Sequence, residues 1–227
     1  MWAIIKKEFK SYFLSPIGYI YIGLFLLACS LFFYIDIFAY QSANFSSIFS
    51  PAGTILTFIV PILTMRMFAE ERKTGTEQLL LTSPKSVTQI VLGKFIGAAF
   101  VVLVSGALTI IYFFILNHFG KPEVGTSIVA LIGFLLLSLA YVSFGMFASS
   151  LTEHQIVAAI VSIAFFVFLW LMPSFSTKFA GYSLIYSYFG SFYDGTIALD
   201  DLVYLVSFTV LFIVFTIMVM KRRKSVK

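Results

Sequence analysis

The chain has 227 residues, 60% of them hydrophobic and only 11% charged, with a mean hydropathy of +1.02. Soluble domains carry about 25% charged residues, and so short a chain has too little interior to hide this much apolar surface. The soluble and disordered classes are therefore excluded, and an integral membrane protein is indicated. The net charge of +5 gathers beside apolar runs, a pattern of membrane topology and not of nucleic-acid binding.

The first stretch, residues 1–14, is short and mixed. Trp2, Ile5, Phe9 and Tyr12 recur at helical spacing while Lys6, Lys7 and Lys10 face elsewhere, which predicts an amphipathic helix lying in the membrane interface with its lysines toward lipid headgroups. Ser15 and Pro16 end it. Six apolar spans follow: Ile17 to Phe38, Pro51 to Phe68 with Pro61 inside, Leu92 to Leu116, Thr126 to Ser149, Gln155 to Met172 and Leu202 to Met220. Each has the length and near absence of charge of a helix crossing the hydrocarbon. The expected architecture is all-α: one transmembrane domain over 1–227, with a six-helix bundle over 17–220 and a basic tail over 221–227. At about 20 residues per span, six spans use roughly 120 residues, leaving no room for a separate catalytic domain.

Orientation follows from the positives. With the N-terminus inside, only Lys121 and Lys178 of the 15 Lys and Arg fall in outer loops. The other thirteen are cytoplasmic, including Lys221, Arg222, Arg223 and Lys224 at the C-terminus. This bias predicts both termini inside, as an even number of spans also requires. Cys29, the single cysteine, allows no intrachain disulfide or multi-cysteine metal site. It follows Leu26-Leu27-Ala28 as in a lipoprotein processing box, but the apolar run continues through Leu31, Phe32 and Phe33, so a cleaved signal is rejected. Residues 179–193, rich in Tyr, Phe, Ser and Gly, are too polar and short for a full crossing and read as a re-entrant or interfacial hairpin, the other reading being an ordinary outer loop.

The segment from Arg66 to Lys94 holds eight charged residues. Thr76 to Leu81 can form a short helix, ended by Ser83-Pro84 because proline disfavours helical geometry before it. Ser86, with Gln89 three residues on, offers a capping box opening the third span. A short helix held between two membrane helices, with Leu79 to Leu81 exposed, makes a docking knob for a soluble partner.

The run Phe68-Ala69-Glu70-Glu71-Arg72-Lys73-Thr74-Gly75-Thr76-Glu77-Gln78-Leu79-Leu80, then Thr82-Ser83-Pro84 and Gly93-Lys94, resembles the signature of ABC-2 type transporter permeases. Lys7-Glu8-Phe9-Lys10-Ser11-Tyr12-Phe13 with Ser15-Pro16, and Phe192-Tyr193-Asp194-Gly195 through Asp200-Asp201-Leu202-Val203-Tyr204, are also similar to that family. The resemblance covers essentially the whole chain and is greatest to the gliding-motility and nitrous-oxide-reductase-maturation branch, departing from it at Asp194, where that branch often has a basic residue. It implies six helices per subunit, a homodimer or a heterodimer with a different membrane subunit, and two cytoplasmic ATPase subunits that carry ATP and Mg, with no cofactor in this chain. Gly75, Thr76, Glu77, Gln78, Leu79, Leu80 and Leu81 would form a coupling helix docked in the ATPase, and Glu70, Glu71 and Arg72 would lie near a cytoplasmic gate.

The residues agree by what they lack. No GxxxxGK[ST] phosphate loop occurs, since Gly93-Lys94 is followed by Phe95 and has no glycine five residues earlier. No ionisable residue lies near the middle of a span, which disfavours a gradient-driven carrier. His118 and His154 fall on opposite sides and cannot share a metal. Asp194, Asp200 and Asp201 form an outer acidic cluster of a kind that could bind a cation; the preferred reading is helix capping by Asp200 or Asp201 at the start of span six, and solvated charge. Gly93-xxx-Gly97 and Gly145-xxx-Ser149 mark close helix contacts. A path lined by aromatics and by Ser105, Thr109, Tyr112, Ser138 and Tyr141 would suit an apolar or amphipathic substrate. The expected function is the permease subunit of an exporter in a bacterial inner membrane; the alternative is a membrane scaffold anchoring a motility or envelope machine.

Overall fold

The computed structural model describes residues 2–39, 45–83, 85–119, 122–175, 183–187 and 191–226. These form eleven helices and, among the described residues, no strand: α1 (Trp2–Leu14), α2 (Pro16–Ala39), α3 (Ser46–Thr64), α4 (Ala69–Lys73), α5 (Glu77–Thr82), α6 (Val87–Leu108), α7 (Ile110–Phe119), α8 (Val124–Leu151), α9 (Gln155–Phe175), α10 (Leu184–Ser187) and α11 (Leu199–Val226). Six helical stretches are long and apolar enough to cross a membrane: 16–37, 46–73, 87–118, 124–151, 155–174 and 199–225. Of the 179–193 segment, residues 183–187, which carry α10, and 191–193 are described; 179–182 and 188–190 lie outside the described residues, so the hairpin expected there is not described as such.

Helix starts and stops have local causes. Pro16 stands at the first position of α2, where its missing N–H is no loss. Ser86 caps α6 through its hydroxyl, which accepts the Gln89 N–H at 3.2 Å. The second span begins earlier than its apolar run, at Ser46, and Pro51 sits inside α3. Ser47 there donates to Asp36 of α2 at 2.5 Å, which ties the polar ends of the two helices. The third span is α6 continued by α7. Thr109 separates them, its hydroxyl donating to the Gly106 carbonyl at 2.6 Å, so the helix tightens there by a local bond that competes with the regular ladder. The sixth span runs on into the basic residues: α11 stays helical through Lys221, Arg222, Arg223 and Lys224, cations that suit a helix C-terminus.

Helices α3 and α8 form the centre, with 65% and 61% of their apolar windows buried against 17% for α9 and α11. Apolar side chains on the outer faces of those two, such as Ile156, Ile160, Val203 and Val210, are left exposed, as expected where hydrocarbon is the solvent. α8 packs against α3, α6, α9 and α11. Ring contacts fill its two halves: Phe134 meets Phe25 of α2 and Phe49 of α3 at 5.3 and 5.0 Å, while Phe144 meets Phe165 of α9 and Phe212 of α11 at 3.8 and 4.9 Å. Such pairs add about 0.5–1.5 kcal/mol each beyond burial.

The small-residue pairs face particular partners. A Cβ on Gly93 would lie 2.7 Å from Ile4 Cγ2, and one on Gly97 would lie 2.7 Å from Glu8 Cβ, so this pair admits α1 against α6. A Cβ on Gly145 would clash with the Thr64 side chain, which places α3 on α8. Gly23, in contrast, faces open space. We expect Gly97→Leu to loosen α1 and lower stability by about 1–3 kcal/mol, the usual cost of overpacking. Gly23→Leu should stay within about 0.5 kcal/mol of wild type, as surface changes do. Thermal unfolding of the purified protein in detergent compares the two, and equal effects would refute the assigned contact.

Candidate functional site

One end of the bundle gathers the described Lys and Arg residues together with half of the acidic ones. α1 lies against α6 and α2, its lysines 6, 7 and 10 exposed and its Tyr12 buried. The chain leaving α3 passes through α4 and α5 before α6 begins. The C-terminal turns of α11 reach the same end, because Arg223 Nη1 donates to Glu77 Oε1 of α5 at 3.2 Å.

At the centre of this end is Lys94 of α6, whose side chain is only 2% exposed. Its Nζ lies 3.0 Å from Glu8 Oε1 of α1 and 2.9 Å from Glu71 Oε1 of α4, and 5.3 Å from the centroid of the Phe68 ring. Lys7 adds a further 3.2 Å contact to Glu71 Oε1 from its exposed position. A buried ammonium is tolerated only when paired and hydrogen-bonded, and here two carboxylates from two other helices supply that. Glu71 Oε2 is buried with no hydrogen-bond partner among the described residues, which leaves the network one spare acceptor. Burial among these groups, with Glu8 and Glu71 close by, pushes the Tyr12 phenol above its ordinary range. Tyr12 therefore stays neutral.

Neighbouring ties hold the rest of the connection. Ser149, near the end of α8, accepts the backbone N–H groups of Phe68 and Ala69 at 3.1 Å each and donates to the Met65 carbonyl at 2.9 Å, so one hydroxyl satisfies the bend between α3 and α4. Arg66 pairs with Glu70 in bidentate fashion. Arg72 donates to the Leu151 carbonyl at 3.2 Å and approaches Glu153 at 4.0 Å. Gly75, with φ +74°, makes the turn into α5 in a conformation that suits glycine. Lys7, Glu8, Tyr12, Arg66, Glu70, Glu71 and Lys94 line a cleft of about 340 Å³ between α1 and α4.

α5 stands at the edge of this network. Glu77 is turned inward to Arg223, while Leu79 is 73% exposed, Gln78 is exposed and Leu80 is half-buried. The Leu81 side chain lies outside the described residues. Glu70, Glu71 and Arg72 are thus brought together with α1, α6 and α8, and α5 presents an apolar side chain outward from them.

The five hydroxyl residues singled out for a path lie elsewhere, within the bundle. Ser105, Thr109 and Ser138 are buried and donate to the carbonyls of Val102, Gly106 and Phe134 in their own helices. Tyr112 donates to the Leu26 carbonyl of α2 at 3.1 Å and sits 2.6 Å from the Ser30 hydroxyl. Tyr141 stacks on Phe166 at 4.0 Å. No hydrogen bond joins one of the five to another among the described residues.

Sequence reasoning passed over Glu8, Lys94, Ser149 and Arg223 as members of the site. A signal existed for Lys94, a cation within an apolar helix and between two close-contact glycines, since such a group calls for a buried counter-charge. Ser149 and Arg223 carried no comparable signal, because only the fold brings them to α4 and α5.

Six apolar helices long enough to cross, all-helical architecture among the described residues and a polar connection packed on one end define a multi-pass membrane protein. Residues 2–191 match the ABC-2 family transporter proteins, and the chain belongs to that family. No curated protein matches it at a significant level. The matched region ends before α11, so the Glu77–Arg223 contact joins a residue inside it to one outside.

Lys94→Met would leave Glu8 and Glu71 buried without their shared cation. We expect a loss of about 3–5 kcal/mol, the usual cost of breaking a buried pair from one side. The triple change Glu8→Gln, Glu71→Gln and Lys94→Met should recover most of it, because no unpaired charge remains. Unfolding in detergent checks this, and a triple variant no more stable than the single one would count against the charge argument.

Proposed function

We propose that the chain is the membrane-spanning permease subunit of an ABC-2 exporter, working with separate cytoplasmic ATPase subunits that hold ATP and Mg. The observation that carries the reading is α5, a short helix with an outward apolar side chain, braced by the Glu77–Arg223 ion pair to the long helix α11. That is what a coupling helix needs: a knob for a soluble partner and a stiff connection behind it. Gly75 to Leu81 would dock in the ATPase. Glu70, Glu71 and Arg72, with Lys94 and α1, would hold the cytoplasmic gate, their pairs exchanging as the bundle rocks between inward-open and outward-open states.

Membrane sidedness supports the same arrangement. The charged end would face the cytoplasm of a bacterium across its inner membrane, with both termini inside, because the Lys and Arg excess is on that end. α1 would lie in the headgroup layer, with its exposed lysines toward lipid phosphates. A second permease copy or a different membrane subunit would complete the pathway. Ser105, Thr109, Tyr112, Ser138 and Tyr141 would border a route for an apolar or amphipathic substrate, as their placement among buried aromatic rings suggests.

Replacing Leu79 and Leu80 with Asp tests the docking role. Tagged protein purified from native membranes in mild detergent should lose its bound P-loop ATPase by about tenfold or more, as loss of a central apolar anchor does, while the chain remains inserted. ATPase recovered in full would sink the docking assignment, and no ATPase with the unaltered protein would move the reading to a scaffold. For the path, Tyr112→Ala and Tyr141→Ala should change substrate export at normal expression. Unaltered export in both would remove those residues from it.

A further inference from the structure

The Glu77–Arg223 contact has a counterpart at the far end of the same helix. α11 begins at Leu199, and its Asp201 Oδ2 accepts the Ser191 hydroxyl at 2.7 Å. Ser191 opens a tight turn closed by two backbone bonds, from Gly195 to Phe192 and from Thr196 to Ser191. That turn is seated on α8. Phe192 is fully buried, a Cβ on Gly133 would clash with the Phe192 side chain, and a Cβ on Gly195, whose φ is +76°, would lie 2.7 Å from the Thr126 hydroxyl. The two pins, at residues 201 and 223, are about 33 Å apart along a helix rising 1.5 Å per residue.

We propose that α11 is a connecting rod between α5 and the 191–195 turn, with Glu77 and Arg223 as the positioning pair that transmits displacement of α5 to the seating of Phe192 at the opposite end. Three observations support this. The Glu77 carboxylate is 8% exposed, so its ion pair with Arg223 is stiff and little screened. α11 is a single helix with no proline, flanked along its length by α8, and a helix without such a break does not kink readily. The far turn is held by the Ser191–Asp201 bond to α11 and by close packing on Gly133, an arrangement with a seated and an unseated state and not a continuous range, since packed contacts are bistable. The proposal rests on α5 being the docking element, but the pair itself is tested without any partner.

The full chain carrying Cys29→Ala is spin-labelled at Asp194→Cys and reconstituted in lipid nanodiscs; a second sample is labelled at Gln78→Cys. The Asp194 label reports seating of the turn as the ratio of immobile to mobile components. Glu77→Gln should shift that ratio toward mobile by about two- to thirtyfold, the range of couplings carried by packed networks. The exchanged pair Glu77→Arg with Arg223→Glu should return it to the starting value. Should Glu77→Gln insert poorly, Glu77→Gln with Arg223→Gln supplies the same comparison with no unpaired charge. The proposal is overturned if Ser191→Ala mobilises the Asp194 label while the Glu77 variants leave it unchanged, or if the exchanged pair fails to restore it. The Gln78 label and ATPase co-purification read the docking role separately, so failure of the rod and failure of docking give different results.

Discussion

The buried ammonium of Lys94 is the constraint on which the charged end is built. A cation at that depth has to be neutralised by groups that are themselves fixed. Glu8 and Glu71 reach it from two helices far apart in sequence, and in doing so they fix where α1 and α4 sit. Gly93 and Gly97 flank the lysine and remove the side chains that would keep α1 at a distance. Charge and shape at this spot therefore specify one arrangement together, and the cleft between α1 and α4 is its by-product.

From that anchor the rest of the connection is determined by short-range bonds. Ser149 satisfies three backbone groups at the bend leaving α3, so the chain can turn in a partly buried place without orphaned donors. Arg72 then fastens α4 to the α8–α9 corner, and Gly75 swings the chain into α5. The outcome is a peripheral helix whose outer side carries the exposed Leu79 and whose inner side is held to the long helix α11 by the Glu77–Arg223 pair. A loop of the same length with solvated charges would offer a partner surface but would transmit little.

Much of the architecture was legible because hydrocarbon is a strict solvent: each crossing must be long, apolar and internally bonded, and composition alone exposes that. The edges were less legible, for local reasons. The second helix extends back to Ser46 because Ser47 finds Asp36, and the sixth extends past Met220 because basic residues suit a helix end as well as a tail. Within the site, the acidic and basic residues of 70–72 were visible as a cluster, and Leu79 as a knob. Lys94 was visible as a positive charge to be counted for orientation and as part of the Gly93-Lys94 pair of the family resemblance, but not as a buried hub. Its pairing with Glu8, like that of Glu77 with Arg223, depends on contacts between residues 86 and 146 positions apart, which no local pattern encodes.

That separation has a consequence for how the protein is made. At roughly 5–20 residues per second, the synthesis rate of growing chains, Glu8 leaves the ribosome about 4–17 s before Lys94. Until then its carboxylate has no buried partner and must remain hydrated at the membrane surface. The first helix therefore cannot take its final seat during early insertion, and the charged end closes late, after the third crossing has entered the bilayer. Glu77 waits longer still for Arg223. Assembly of the α4–α5 connection is thus a post-insertion event, complete only once α11 has been made.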